Sequence, residues 1–177
     1  MDNDNTYPEI PSYIKELLES GERIDEIRLT KEGKWFHNGE PFINEKIIAL
    51  FTKSVDITAD GRYVIHYGNH TYPIVVEDTP YFITGVRFEG FASFERIFIT
   101  LSSGDIEELD IYSLYCGANN ALYCRIKGGR MPARFMRSPS FYILERLEEE
   151  TDGQYSVRLC GQKIELKVKE EECEKIL

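Results

Sequence analysis

The sequence predicts an α+β fold of two related hairpin-helix-hairpin halves, with mostly antiparallel sheets and few short helices. Three observations lead to this prediction. Glycine-containing hairpin turns recur along the chain, the stretches beside them alternate apolar and polar residues, and one order of elements occurs twice. The first copy covers residues 27–76 and the second covers residues 124–168. The seam between two such halves is a common place for a ligand.

Both copies are expected to begin their helix in the same way. Asn44 and Ser138 are favourable N-cap residues, and a large apolar residue follows three positions later, at Ile47 and Phe141. Pro139 takes the first helical position, where proline is favoured. The predicted buried stripes are Ile47, Ile48, Leu50 and Phe51 in the first helix and Phe141, Ile143, Leu144 and Leu147 in the second.

The predicted organisation has three parts. Residues 1–22 form an N-terminal helical cap, in which an amphipathic helix from Ser12 to Glu19 ends before Gly21. Residues 23–95 form the first half and residues 96–177 the second. Three further predicted strands have no counterpart in the repeat: residues 82–88, 96–101 and 106–111.

Composition is that of a globular protein with a packed core. Hydrophobic residues make up 42% of the 177 residues and aromatic residues 12%. No apolar run approaches the roughly 20 residues of a membrane helix, and the N-terminal residues are acidic rather than those of a secretory signal. We therefore expect a cytoplasmic protein of bacterial type, whose irregularly spaced cysteines are reduced thiols.

Charge is distributed unevenly. The net charge of −10 argues against binding to nucleic acid or to an anionic membrane surface, and it does not decide whether the protein forms homo-oligomers. Between Asp110 and Glu145, however, the sequence has no acidic residue. We call the cations in this stretch the basic island: Arg125, Lys127, Arg130, Arg134 and Arg137.

Two functional interpretations and one structural interpretation of the basic island stay open at this point. It can recognise a small anionic ligand, or it can contact an acidic protein segment. Alternatively, acidic residues within the chain neutralise it across neighbouring strands. The candidates for internal pairing are Glu107, Glu108, Asp110, Glu148 to Glu150 and Glu165. The predicted ligand site combines Arg125, Arg134 and Arg137 with Trp35 and Tyr142 as apolar walls.

The alternative is an enzyme of unrecognised class, built on Glu77, Asp78 and a histidine such as His37 or His66. We favour a non-enzymatic module, since the sequence has no signature of a serine or cysteine nucleophile and no glycine-rich phosphate loop. His66 and His70 flank a predicted turn rather than lying on a helix as a zinc-binding pair. We therefore expect no metal and no other cofactor. A third interpretation is a protein–protein interaction domain that uses exposed sheet edges.

Several short motifs follow one another along the chain. In the first half they consist of Gly33, Trp35, Gly39 and Pro41; Leu50 and Phe51; Asp60, Gly61 and Tyr63; and Val76, Glu77, Asp78 and Pro80. In the second half they consist of Gly104, Asp105, Ala133, Arg134, Arg137, Tyr142 and Leu144. In this order the motifs resemble those of a bacterial family, domain of unknown function family 1285, from about residue 24 to residue 168.

The resemblance implies a two-part fold with repeated elements and a role in ligand binding or signal transduction, with no established activity. The chain departs from the family pattern at two places. Tyr81 stands where the family has phenylalanine, and Ser102-Ser103-Gly104 replaces a Thr-Asn-x-Gly run.

Overall fold

The computed structural model describes residues 26–151 and 154–169. The predicted cap at residues 1–22, the Asp152-Gly153 turn and Cys173 lie outside these ranges. The chain divides into two compact units between Pro80 and Tyr81. This division comes earlier than the predicted boundary after residue 95, because the strand that begins at Tyr81 pairs with strands of the second unit.

The first unit consists of two small sheets and a helix in its described part. Strands β1, β2, β3 and β7 form one sheet in the order β3-β2-β1-β7, in which β7 is parallel to β1. Strands β4, β5 and β6 form an antiparallel meander. The elements are β1 (Ile27–Leu29), β2 (Trp35–His37), β3 (Glu40–Pro41), α1 (Glu45–Ser54), β4 (Val55–Ile57), β5 (Tyr63–Tyr67), β6 (His70–Pro73) and β7 (Val75–Val76).

The second unit contains a seven-stranded sheet, a helix and a three-stranded meander in its described part. The large sheet has the order β10-β9-β8-β13-β12-β11-β17, with parallel pairing at β8–β13 and β11–β17. Its elements are β8 (Tyr81–Glu89), β9 (Arg96–Leu101), β10 (Ile106–Glu108), β11 (Tyr115–Gly117), β12 (Leu122–Ile126), β13 (Met131–Phe135), α2 (Arg137–Leu144), β14 (Leu147–Glu149), β15 (Tyr155–Leu159), β16 (Gln162–Glu165) and β17 (Lys167–Lys169). The predicted α+β class with mostly antiparallel sheets is confirmed.

The two units share an order of elements. In each, three antiparallel strands precede a helix, a three-stranded meander follows the helix, and a last strand pairs in parallel with the first. The series is β1-β2-β3-α1-β4-β5-β6-β7 in the first unit and β11-β12-β13-α2-β14-β15-β16-β17 in the second. A shared topology is what two repeated halves require, and the duplication itself stays a prediction.

Helix α1 begins as the sequence predicts. The Asn44 side chain accepts hydrogen bonds from the backbone N–H groups of Lys46, at 3.0 Å, and Ile47, at 3.4 Å. These contacts satisfy two of the donors that a helix leaves free at its first turn. Ile47, Leu50 and Phe51 are buried, so the predicted stripe packs in the core of the first unit.

Helix α2 differs from its prediction in start and in orientation. It begins at Arg137, and Met136 precedes it without a side-chain cap, so Ser138 lies inside the first turn. Pro139 and Ile143, one turn apart, are buried. Phe141 is 61% exposed, although the sequence placed it in the buried stripe. The helix is short, and its apolar residues are spread around it, so the sequence does not indicate which side is buried.

This orientation predicts losses of stability of different size at two positions of α2. Because Ile143 is fully buried, Ile143→Val leaves a methyl-sized cavity, and we expect it to lower the free energy of unfolding by about 1 kcal/mol. Phe141→Leu changes an exposed side chain and should cost less than about 0.5 kcal/mol. Urea unfolding of both variants measures the difference. A larger loss for Phe141→Leu would contradict the orientation of α2.

Candidate functional site

The seven-stranded sheet has two chemically different faces. On the inner face, apolar side chains are buried on successive strands, as at Ile83, Ile97 and Ala133. Phe88 lies opposite Ile97 on this face, and the Arg146 guanidinium stacks over the Phe88 ring at 4.3 Å. Since Arg146 closely follows α2, the end of this helix lies on the inner face.

The opposite, outer face carries two cations of the basic island. Arg125 pairs with Pro132 across β12 and β13, and Arg134 pairs with Tyr123. The two arginines are therefore diagonal neighbours on one face, within reach of a single ligand group. Arg125 is exposed and Arg134 is half-buried.

Lys127 does not join this face, although strict alternation from Arg125 along a longer strand would place it there. Strand β12 ends at Ile126, and the turn that follows has four residues, Lys127 to Arg130, rather than only Gly128 and Gly129. Lys127 has a positive φ of 51°, and its Nζ lies 4.6 Å from the centre of the Tyr81 ring. Because Tyr81 pairs with Ala133, Lys127 contacts an inner-face residue.

The register of the other strands adds more cations to the outer face. Lys167 lies opposite Tyr115, Lys169 lies opposite Gly117, and Arg87 lies opposite Phe98. Two carboxylates share the face among the described strand residues, and each is paired: Glu89 with Arg87 and Glu108 with Arg96. The six cations of the outer face are Arg87, Arg96, Arg125, Arg134, Lys167 and Lys169. Counted over the described strand residues, the face therefore has an excess of four positive charges.

Most of the acidic residues proposed as internal partners of the basic island are bonded elsewhere. The Glu107 carboxylate accepts the backbone N–H of Lys127 at 2.9 Å, and Asp110 accepts that of Tyr112 at 3.1 Å. The other side-chain pairs are Glu108 with Arg96, Glu148 with Arg158 and Glu150 with Lys163. Within the described ranges no carboxylate forms an ion pair with Arg125 or Arg137. Internal neutralisation is therefore wrong for these two arginines.

The structure does not gather all five residues of the predicted ligand site. Arg137 is the first residue of α2, and Tyr142 lies further along this helix, which ends on the inner face. Trp35 is 3% exposed in the core of the first unit, where its Nε1–H donates to Thr52 Oγ1 at 3.1 Å. Its ring packs edge to face against Phe51, at 5.5 Å between ring centres. The prediction of Trp35 as a ligand wall is therefore wrong, because its ring is packed within the core of the first unit.

The acid and histidine residues of the alternative enzyme site are dispersed. The backbone N–H of Glu77 donates to Leu29, whereas His37 pairs with Ile27. Glu77 and His37 are thus separated by roughly 10 Å along the strand direction, with β1 between them. His66 lies on β5 in the other sheet, where Thr71 Oγ1 is 3.0 Å from its Nδ1. Asp78 follows Glu77 directly and does not close this distance.

Glu77 instead has a structural role. Its carboxylate accepts the backbone N–H of Lys31 at 3.1 Å and contacts the Arg28 guanidinium at 3.1 Å. The Lys31 hydrogen bond, followed by the Arg28 hydrogen bond, lowers the pKa of Glu77 below its usual range. A carboxylate held ionised in this way is a weak general base. Across residues 26–151 and 154–169, no three His, Cys, Asp or Glu side chains cluster in a way that can hold a metal.

The three described cysteines of the second unit are protected from ionisation. Burial, with the nearby charges of Glu107 and Asp110, raises the pKa of Cys124 from its ordinary value of 9.0 to about 12. Burial also raises the pKa of Cys116 and of Cys160. Since the thiolate is the nucleophile, none of these three thiols is activated for covalent catalysis.

We expect Cys124 to react more slowly with iodoacetamide than Cys116 or Cys160, which are only partly buried. Peptide mapping by mass spectrometry measures each site, and the three rates should converge in denaturant. Because the folded state keeps the Cys124 proton to higher pH, the free energy of unfolding should fall as the pH rises from 9.0 toward about 12. Equal labelling rates in the native protein would contradict the burial of Cys124.

A cleft of about 550 Å³ lies elsewhere in the second unit, between the β8–β9 loop, the end of α2 and the β15–β16 turn. Its two arginines are already paired. Arg146 binds the Glu95 carboxylate at 2.7 and 2.8 Å, and Arg158 binds Glu148 at 2.9 Å. The cleft includes neither the predicted arginines nor the acid-histidine set, so it does not explain the basic island.

Sequence reasoning missed four of the six outer-face cations: Arg87, Arg96, Lys167 and Lys169. Because side chains alternate between the two faces along a strand, the sequence indicates which of these cations share a face of the same strand. It gave no indication that β8 pairs with β13 or that β17 pairs with β11. Both contacts are parallel pairings between strands that are distant in sequence, and a local pattern does not specify them.

The fold is that of a two-unit α+β protein with mostly antiparallel sheets. In the described part of the chain, no helix is long and apolar enough to cross a bilayer. No family model matches the sequence, and no curated protein matches it.

Two crystal structures share the fold. The first is of a DUF1285 family protein from Silicibacter pomeroyi DSS-3, with a TM-score of 0.65 and 19% identity over 80% of this chain and 79% of that one. The second is of a DUF1285 family protein from Shewanella baltica OS155, with a TM-score of 0.54 and 18% identity over 70% of this chain and 93% of that one. The chain therefore has a DUF1285-like fold, and the resemblance predicted from its motifs is confirmed at the level of the fold.

Proposed function

We propose that this protein is a non-enzymatic binding module of the cytoplasm that recognises an anionic group through the outer face of its seven-stranded sheet. The observation that carries the proposal is the excess of four positive charges on that face, in a chain whose net charge is −10. A regulatory role, in which binding rather than conversion of the ligand is the output, fits the dispersed acid and histidine residues.

Two features prepare the face for an anion. Arg125 and Arg134 are diagonal neighbours on paired strands, so a carboxylate or phosphate group bound by Arg125 lies close to a second guanidinium. Lys169 lies over the Tyr115 ring at 4.2 Å, a contact that orients its ammonium group. The proposed site therefore lies within the second unit, and it retains Arg125 and Arg134 of the predicted site.

Paired charge-removal variants test the proposal. Arg125→Ala with Lys167→Ala removes two cations from the outer face, and Lys46→Ala with Lys53→Ala removes two exposed cations from α1. Both double variants have the same net charge. Titration calorimetry with tripolyphosphate, an acidic peptide and single-stranded DNA should show at least one anion that binds. We expect its affinity to fall about tenfold in the outer-face variant and to be retained in the α1 variant.

Two results would overturn the proposal. One is the absence of binding by all three anions. The other is an equal loss of affinity in the two double variants, which would mean that net charge rather than the outer face attracts the anion. The unfolding midpoint of each variant shows that it is folded under the conditions of the titration.

A further inference from the structure

We infer that the anionic partner is an acidic stretch of polypeptide that lies across the strands of the outer face. This inference rests on the proposed function and specifies its partner. It depends on the distribution of the cations, on the surroundings of the aromatic rings and on the geometry of an arginine–carboxylate pair that the face already contains.

The cations extend across most of the sheet. In sheet order they occupy β17, β12, β13, β8 and β9, with β11 between β17 and β12. Lys167 and Arg134 lie at the same level of the sheet, with Lys169 and Arg125 two residues to either side. Neighbouring strands are about 4.8 Å apart, so the row formed by these four cations, from β17 to β13, is about 14 Å wide. Arg87 and Arg96 are displaced from this row by roughly 16 Å or more along the strands, because Arg134 pairs with Phe82, five residues before Arg87. An extended peptide of about four residues spans the row, whereas one small anion contacts two of its cations. The row is therefore matched to an extended polyanion.

The aromatic rings of the face are already in contact with other groups, which argues against a nucleic acid. Arg87 and Arg96 both lie over the Phe98 ring, at 5.0 and 4.9 Å from its centre. Tyr115 stacks on Tyr123 with 5.2 Å between ring centres and 13° between planes, and Lys169 lies over Tyr115. Single-stranded nucleic acids are bound by stacking their bases on available ring faces. Here the rings support cationic groups instead.

The face also shows how it holds a carboxylate. Arg96 grips Glu108 with two parallel hydrogen bonds, Nε to Oε1 at 3.0 Å and Nη2 to Oε2 at 2.6 Å. This is the bidentate geometry that favours arginine for carboxylate recognition. Arg125 is exposed and has no such partner among the described residues, so a glutamate or aspartate of the bound segment can take that position.

Fluorescence anisotropy with labelled peptides tests the inference on the full-length protein. The probes are a peptide of about eight residues that alternates glutamate and serine, and the same peptide with glutamine in place of glutamate. We expect the glutamate peptide to bind, the glutamine peptide not to bind, and affinity to fall as salt is added. Arg125→Ala with Lys167→Ala should weaken binding about tenfold, while Lys46→Ala with Lys53→Ala should leave it within about twofold.

Comparing the peptides with the other anions separates a failure of this inference from a failure of the proposed function. If single-stranded DNA or tripolyphosphate binds through Arg125 and Lys167 and the glutamate peptide does not, the polypeptide partner is wrong and the proposed function stands. If none of the anions binds, both are wrong. Binding of the glutamate and glutamine peptides with equal affinity would also overturn the inference, because charge would then not be the basis of recognition.

Discussion

Gly90→Ala should destabilise the second unit by about 3 kcal/mol or more. Gly90 lies in the loop between β8 and β9 with φ +79°, a conformation that costs an alanine about 1–2 kcal/mol. A Cβ at this position would be 2.4 Å from the carbonyl oxygen of Phe94. Because that oxygen belongs to the backbone, the loop itself would have to move.

Gly104→Ala is the matched control for this prediction. Gly104 lies in the next turn of the same sheet, with φ +88°, and its Cβ would have nothing within 4 Å. It therefore reports the cost of the backbone conformation without the clash, about 1–2 kcal/mol. Guanidinium unfolding of the two variants gives the difference. If both lose the same stability, the close contact between Gly90 and Phe94 does not exist in solution.

Glu95→Ala should also cost about 2–3 kcal/mol, through the loss of an ion pair whose carboxylate is buried. The Glu95 side chain is 9% exposed, and its carboxylate accepts the Arg146 guanidinium and the backbone N–H of Cys160, the latter at 2.9 Å. Removing the carboxylate leaves a cation on the Phe88 ring and a backbone donor without their acceptor. An unsatisfied group of this kind carries most of the cost of such a substitution.

Glu108→Ala provides the comparison for Glu95→Ala. Glu108 likewise accepts two hydrogen bonds from one arginine, Arg96, but both of these side chains are about half exposed. Water replaces the lost contact there, so the unfolding midpoint should change little. Thermal and chemical unfolding of both variants, with Arg146 retained, separates the two cases. A loss of stability at Glu108 as large as that at Glu95 would show that burial does not decide the strength of these pairs.

Local elements of the fold followed directly from the sequence. Asn44 caps α1 because a short polar side chain at that position can reach two free N–H groups, and this depends only on neighbouring residues. The Asn38-Gly39 turn between β2 and β3 has positive φ at both residues, as its composition predicts. Ser138 failed as a cap because the chain enters the helix directly from β13, after which Met136 precedes the first turn.

The candidate site could be predicted only in part, because it depends on contacts between residues that are distant in sequence. Alternation places Arg125 on one strand face, and the strand bears this out. Alternation would also place Lys127 on that face. It lies instead in a turn of four residues, where its φ is positive. The local pattern around Trp35 does not indicate that its N–H bonds to the half-buried Thr52 or that its ring packs in the core. Contacts between residues distant in sequence decide both the composition of the outer face and the position of Trp35.

The parallel pairing of the last strand in each unit has a consequence for synthesis on the ribosome. The four-stranded sheet of the first unit is complete once Val76 has emerged, so that sheet can form while the second unit is still being translated. The large sheet has to wait for β17, which pairs with β11 across a long stretch of intervening chain. Lys167 and Lys169 arrive with that final strand. The outer face therefore acquires its full charge only at the last step of assembly, after the rest of the sheet is in place.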